Sequence, residues 1–310
     1  MSGAELSSTY EDRLGPFARR IARVMRTLRW HAKGMLGIRR RVLVEMRWRL
    51  GDEIMALPVY DAMKTAWPDA DIEVLTHYPE LIEGQASVKA VNAKNISPDR
   101  YIFLRNGSRT DFRVTHYARL AGVAPPESNP QLVFADWHPP LLAELPGETA
   151  ARIALAPGAT WPPKRWADAN WHDLAKQLTD AALTPIELGR GHAPVSGAYS
   201  LVDRTSVREA ACVLHACRLL VSGDCGLMHL ALAAGTPVLA LFGPTEPSIL
   251  VRNEPKLHVI TNERPCRGCW NLSMEMKEPG VCPRAIPDCL ETITPDQVAA
   301  RVLDLVRTES

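Results

Sequence analysis

Between Arg152 and Gly243 the chain alternates short apolar runs with amphipathic stretches, an order that few folds can accept. "RIALAPG" (152–158), "TPIELGR" (184–190), "RLLVSGD" (218–224) and "PVLALFG" (237–243) have the length and composition of strands. Between them, "ANWHDLAKQLTDA", "SVREAACVLHAC" and "GLMHLALAAG" place apolar residues at helical spacing. Predominantly apolar strands are buried on both faces, which points to a parallel sheet covered by helices. The first half is a looser version of the same pattern. "RVLVEM" (41–46), "DIEVLTH" (71–77) and "DRYIFLRN" (99–106) read as strands, with helical stretches ending near Trp67 and covering "THYARLAGV". The expectation is an α/β protein of two Rossmann-like domains, parallel sheets facing each other across a cleft. The first covers residues 41–145 and the second 146–310, divided where Pro and Gly cluster at 138–150.

The 310 residues suffice for two such cores, and 46% hydrophobic with 23% charged residues is an ordinary globular composition. Apolar runs are too short to span a bilayer, and the first residues do not read as a cleavable signal. Seven cysteines without a regular secreted framework suit a reducing compartment, so the expected location is cytoplasmic. The overall charge of +1 hides an asymmetry: residues 1–41 carry +7 and the remainder −6. In "FARRIARVMRTLRWHAKGML", Phe17, Ile21, Val24, Leu28 and Leu36 fall near one helical face, with Arg19, Arg20, Arg23, Arg26 and Lys33 largely elsewhere. Residues 1–40 therefore read as a basic amphipathic extension, able to touch the anionic inner-membrane surface through 17–36 or to pack as an extra helix. No nucleic-acid partner is expected.

Ligands of open parallel sheets gather at the carboxyl ends of strands, and three stretches with chemistry lie there. In "SGDCGLMHLALAAG", Asp224 ends a strand, Cys225 and Gly226 are small enough to admit phosphate to free backbone N–H groups, and His229 follows one turn later. Helix capping is the commonplace role for Asp224. In "PGATWPPKRW", Thr160 offers a hydroxyl and Lys164 a compact positive charge. In "RLGDEIMALP", Asp52 stands at a helix start, as a cap or as a general base. Asp69 and Asp71 form a superficial Asp-x-Asp at a helix–strand turn, where acidic residues are unremarkable.

Taken in order, "RWRLGDEIMALP", "LAPGATWPPKRWADANWHDLA" and "SGDCGLMHLALAAGTPVLALFGPTEP" resemble the signature segments of the ADP-heptose:lipopolysaccharide heptosyltransferase family, glycosyltransferase family 9. The resemblance implies a GT-B glycosyltransferase that inverts the anomeric centre. It implies transfer of a heptose or related sugar from an ADP-sugar donor to a hydroxyl of a glycan, lipid or protein. Asp52 would then be the base. Thr160, Lys164, Asp224, Cys225, Gly226 and His229 would bind the donor, and no catalytic metal would be needed. Two features depart from the pattern. The first domain is short, and Gly191 stands where relatives can place a glutamate on the donor ribose. The same fold acting as an epimerase or hydrolase, or as a non-catalytic nucleotide-sugar scaffold, are the rival readings.

Near the end, "CRGCWNLSMEMKEPGVCPRAIPDCL" spaces four cysteines as C-x2-C-x12-C-x6-C. Cys266, Cys269, Cys282 and Cys289 suit a tetrahedral thiolate site for zinc or iron, with reduced cysteines or a disulfide as the plainer alternative. "CRGCWN" and "CPRAIPDCLETITPDQV" also resemble the tail of autotransporter heptosyltransferases, which implies iron there.

Overall fold

A computed structural model describes residues 15–308 apart from 95–96, 135–136, 263 and 285–287. The chain divides into two compact units, one holding residues up to Ser108 and Arg113–Val133, the other Arg109–Phe112 and Phe134 onward.

The first unit opens with α1 (Pro16–Met35), followed by β1 (Arg40–Met46), α2 (Leu50–Ala66), β2 (Ala70–Thr76), β3 (Ala90–Val91), β4 (Arg100–Phe103) and α3 (Arg113–Ala121). Its four strands are all parallel, in the order β3-β2-β1-β4. Helix α2 is buried almost all round its first three turns, Gly51 to Tyr60, so it has no pronounced polar face to guide a sequence reading. The Asp-x-Asp at the head of β2 is spent on ion pairs: Asp69 takes the Arg40 guanidinium, and Asp71 pairs with Arg39 and Lys89.

The second unit contains β5 (Arg152–Ala156), α4 (Asp168–Asp180), β6 (Thr184–Glu187), β7 (Tyr199–Ser200), α5 (Val207–His215), β8 (Leu219–Gly223), α6 (Gly226–Ala233), β9 (Val238–Phe242), α7 (Pro247–Leu250), β10 (Leu257–Thr261) and α8 (Pro295–Thr308). Six parallel strands run in the order β10-β9-β8-β5-β6-β7. β8 and β9 are buried at every position, in keeping with their predominantly apolar sequences. Ser206 and Glu209 form a reciprocal capping box that starts α5. On one face of the sheet, α4 packs beside α8. There the Trp166 and Trp171 rings meet edge-on, 5.1 Å apart, an arrangement that adds about 1 kcal/mol to their burial. The Trp166 indole donates to the Ile293 carbonyl at 2.8 Å, which fixes the residues just ahead of α8.

Candidate active site

In the first unit, strand order reverses between β1 and β4, and the residues following these two strands meet at the carboxyl edge of the sheet. Trp48 belongs to the turn after β1, and its indole donates to the Leu104 carbonyl at 2.8 Å, fastening that turn to the end of β4. Asp52 follows in the first turn of α2 and is buried. Its Oδ1 accepts hydrogen bonds from the Tyr117 hydroxyl at 2.8 Å and the Asn106 amide at 3.1 Å, and the Arg113 Nε lies 3.8 Å away. Arg113 is itself held by the Ser108 carbonyl and the Asn106 side-chain oxygen. Among the described residues nothing hydrogen-bonds Oδ2. A carboxylate gripped by one oxygen, with its second oxygen uncommitted, is oriented to accept a proton. Burial and the Asp52 charge hold the Tyr117 phenol well above its ordinary pKa, so it remains a donor to that oxygen.

Glu53, the next residue, is fully buried and plays a separate part. Its carboxyl accepts from the backbone N–H groups of Trp48 and His77, each at 3.2 Å, and from the Thr76 hydroxyl. The Thr76 oxygen accepts from Tyr78 N–H at 2.9 Å. One side chain thus ties the turn after β1 to the turn after β2. Burial pushes the Glu53 carboxyl up to about 7, against the lowering effect of these hydrogen bonds. Folding raises this pKa, so its contribution to stability is full below about pH 4.5 and is lost as pH rises to 7. The loss is roughly 3 kcal/mol for a shift of this size. Urea midpoints measured across pH 4.5–7.5 should fall more steeply for the wild-type chain than for Glu53→Gln. Parallel curves would mean the carboxyl is ionised throughout.

The second unit gathers its polar residues at the carboxyl ends of β5, β8 and β9, and strand order reverses between β5 and β8. Asp224 follows β8 directly and is buried. It pairs with the Lys164 ammonium, which comes from the turn after β5, and accepts from the Thr245 hydroxyl at 2.6 Å, which comes from the turn after β9. Burial alone would raise the Asp224 pKa. The Lys164 charge and hydrogen bond, the Thr245 hydroxyl and the charge of nearby His229 together hold it below the ordinary value. Lys164 also stands over the Trp161 ring, 4.3 Å from its centroid. An ammonium has three N–H donors, so one can serve Asp224 while others remain for an anion.

Two glycines make this closeness possible. A side chain at Gly223 would sit 2.8 Å from the Lys164 carbonyl, and one at Gly243 would sit 2.6 Å from the Cys289 side chain. Cys225 occupies the N-cap of α6, and Gly226 is its first residue. Burial raises the Cys225 thiol, so it is a small neutral group beside the free N–H donors rather than a thiolate. His229 is buried one turn into α6. Thr160 is the exception: it is exposed and makes no hydrogen bond among the described residues. The structure therefore brings Lys164, Asp224, Cys225, Gly226 and His229 together, and adds Thr245. Tyr117, Asn106 and Arg113 are likewise additions to the Asp52 environment. Their signals are faint, because each lies more than fifty residues from Asp52 in a segment with no motif of its own.

The cysteine segment is stitched to the turn that carries Thr245. Gly268 N–H donates to the Gly243 carbonyl and Trp270 N–H to the Pro244 carbonyl, both at 2.9 Å, and Glu246 N–H donates to the Asn271 side chain at 3.0 Å. The seven cysteines are thiols rather than disulfides, with Cys269 and Cys289 buried and Cys266 and Cys282 half-buried. Burial pushes Cys289 up to about 12, and the charges of Cys269, Cys282, Cys266 and Asp288 add to the rise. Among the described residues, no three His, Cys, Asp or Glu side chains are grouped closely enough to hold a metal ion.

Residues 100–278, more than half of the chain, match the family profile of glycosyltransferase family 9 (heptosyltransferase). Lipopolysaccharide heptosyltransferase 2 of Escherichia coli K12 is 31% identical over 123 residues, 35% of this chain and 35% of that protein. Lipopolysaccharide heptosyltransferase 1 of Pseudomonas aeruginosa is 29% identical over 170 residues, 49% and 47% of the two chains. The chain thus spans between a third and a half of the length of these curated relatives. Among solved structures, the dodecameric iron-containing heptosyltransferase TibC, in complex with ADP-D-beta-D-heptose, superposes with a TM-score of 0.72. Its sequence identity is 17%, with 88% of this chain and 77% of TibC covered. E. coli ADP-heptose lps heptosyltransferase II gives 0.65 at 20% identity, covering 87% and 99%. At these identities the likeness is one of fold, the GT-B arrangement of two parallel-sheet units.

Proposed function

This chain belongs to glycosyltransferase family 9, and from that premise we propose that it is an inverting transferase. It moves a heptose or related sugar from an ADP-sugar to a hydroxyl of a glycan, lipid or protein. The observation that carries this reading is the buried Asp52 carboxylate, fixed through Oδ1 by Tyr117 and Asn106. A pure binding module has no use for an oriented base.

In the proposed reaction Asp52 takes the proton of the acceptor hydroxyl as its oxygen bonds to the anomeric carbon. The bond from that carbon to the diphosphate oxygen breaks on the opposite face, and ADP departs with the electron pair. Lys164 and the N-terminus of α6, with Cys225 and Gly226, meet the growing negative charge, and Asp224 and Thr245 hold Lys164 and its surroundings in place. His229 completes the buried side of this site, and Thr160 adds a hydroxyl from the same turn as Lys164. Positive charge for the leaving group thus comes from the chain itself, and no step is assigned to a metal. The adenine nucleotide is chosen because the ligand bound to TibC is ADP-D-beta-D-heptose, and the heptose because the curated relatives are named for heptose transfer.

Cys266, Cys269, Cys282 and Cys289 are proposed to hold a structural iron or zinc. Four sulfur donors suit either metal, and TibC is described as iron-containing. Binding would require the thiols to draw closer than they stand and to lose their protons. The metal's part would be to brace the turn beneath Thr245, with no share in the transfer.

Calorimetric titration of the purified chain with ADP, GDP and UDP tests the donor. ADP should bind roughly tenfold or more tightly than the other two, a difference of about 1.4 kcal/mol. Tighter GDP or UDP binding would overturn the adenine assignment. Elemental analysis of the same preparation should find about one iron or zinc per chain, and a metal-free protein under reducing conditions would remove the metal.

A further inference from the structure

Helix α1 is attached to the first unit back to front. An amphipathic helix on a globular domain ordinarily buries its apolar stripe and shows its charges to water. In α1 the residues turned toward the domain are Ala22, Arg26, Trp30 and Lys33, at spacings of four, four and three. Trp30 is buried, with the Arg40 guanidinium 4.2 Å from its ring centre and the Trp67 ring edge-on at 5.4 Å. Arg29 and Lys33 each reach the buried Asp99 carboxylate at 2.8 Å, and Arg29 also donates to the Pro98 carbonyl. These contacts fix the roll of the helix. They turn its apolar side outward: Phe17 is 78% exposed, Leu28 61%, Met25 61%, Val24 54% and Ile21 49%. The stripe continues through Met35 at 83% and Leu36 at 71%.

We propose that this outward face is a membrane-docking surface that lies in the interface of an anionic lipid bilayer. The apolar side chains enter the acyl boundary, and the arginines at its rim meet lipid phosphates. Three observations select this occupant. The exposed stripe is one continuous row, not scattered single residues, and such rows mark interaction sites. From Arg13 to Val44 the chain has no acidic residue, so every charge that α1 itself sets beside the stripe is positive, including exposed Arg20. That border complements anionic headgroups. Against the same face of a second copy, the two borders would set like charge against like. Among the described residues no helix is long and apolar enough to cross a membrane, so the contact lies on the surface. The docking is independent of the transfer chemistry, since α1 supplies no residue to the Asp52 or Asp224 sites.

Flotation of the full chain with vesicles tests this, using phosphatidylcholine alone or mixed with phosphatidylglycerol. The wild-type chain should float with the mixed vesicles and lose much of that binding at high salt. Ile21→Asp/Leu28→Asp replaces two exposed residues, so the circular dichroism spectrum and ADP binding should be retained. Its vesicle-bound fraction should fall roughly tenfold or more. Absence of wild-type binding to mixed vesicles, or equal binding by the doubly substituted chain, would overturn the proposal. So would a wild-type mass by light scattering that halves in the substituted chain without vesicle binding, because the face would then join copies of the chain.

Discussion

Asp52→Asn should lower the rate of sugar transfer by a factor of roughly 10²–10⁴, the usual worth of a positioned general base, while ADP binding stays within about twofold of wild type. The substitution is nearly isosteric. Its carbonyl oxygen can still accept from Tyr117 and Asn106, so the first turn of α2 keeps its place. What is lost is the oxygen that can take a proton. Tyr117→Phe is the companion measurement. It removes the hydroxyl bond to Oδ1 at 2.8 Å but leaves the carboxylate, so transfer should fall only about tenfold, as expected for one hydrogen bond to a charged group. Assays of ADP release with acceptor present check both. If Asp52→Asn transfers at the wild-type rate, Asp52 is a helix-end carboxylate with no part in the chemistry.

Lys164→Ala should weaken ADP binding by about 10- to 100-fold, the worth of one charge-assisted contact. It should also reduce folding stability by about 3–5 kcal/mol, because it strips the counter-charge from a buried carboxylate. The pH dependence tells these effects apart. In the wild-type chain Asp224 sits below its ordinary pKa, so it contributes stability above about pH 4 that is lost as pH falls. Without Lys164 the burial effect dominates and the folded-state pKa climbs, so the variant loses stability as pH rises through it. The gap between the two chains should therefore widen from acid toward neutral pH. Adding Asp224→Asn to Lys164→Ala should recover part of the lost stability and none of the lost ADP affinity. Recovery of affinity would mean that Lys164 acts only as a partner for Asp224.

The second sheet was legible because its central strands are mostly apolar and are followed by Pro157, Asp224 or Gly243 where the chain leaves the sheet. That Asp224 and Lys164 both end up at the carboxyl edge was readable from the strand–helix order, but their adjacency rests on β5 lying next to β8, which are not neighbours in sequence. Thr245 stood in plain view in "FGPTEP", but nothing local says that its hydroxyl reaches back to Asp224. The Asp52 environment was less accessible. Tyr117 and Arg113 reach it from α3, and the pairing of α2 with α3 is written in non-local packing. Short or exposed edge strands escape notice for a related reason. β3 and β7 have two residues each, and β10 is partly exposed along its length, so none has an apolar run to announce it. The amphipathic character of α1 was evident, but its roll was not. That depends on Trp67, Arg40, Arg100 and Asp99, which only the fold brings to Trp30 and its neighbours.

The bonds from Gly268 and Trp270 to Gly243 and Pro244 make two distant lengths of sequence into one mechanical piece. The consequence is a thermodynamic exchange between its two ends. To the extent that ordering the turn at 266–271 favours the arrangement that sets Thr245 on Asp224, ordering Thr245 must favour that turn by the same factor. On the proposed function, oxidising or alkylating Cys266 or Cys269 should then act on nucleotide affinity from outside the donor site, and bound nucleotide should slow the reaction of those thiols.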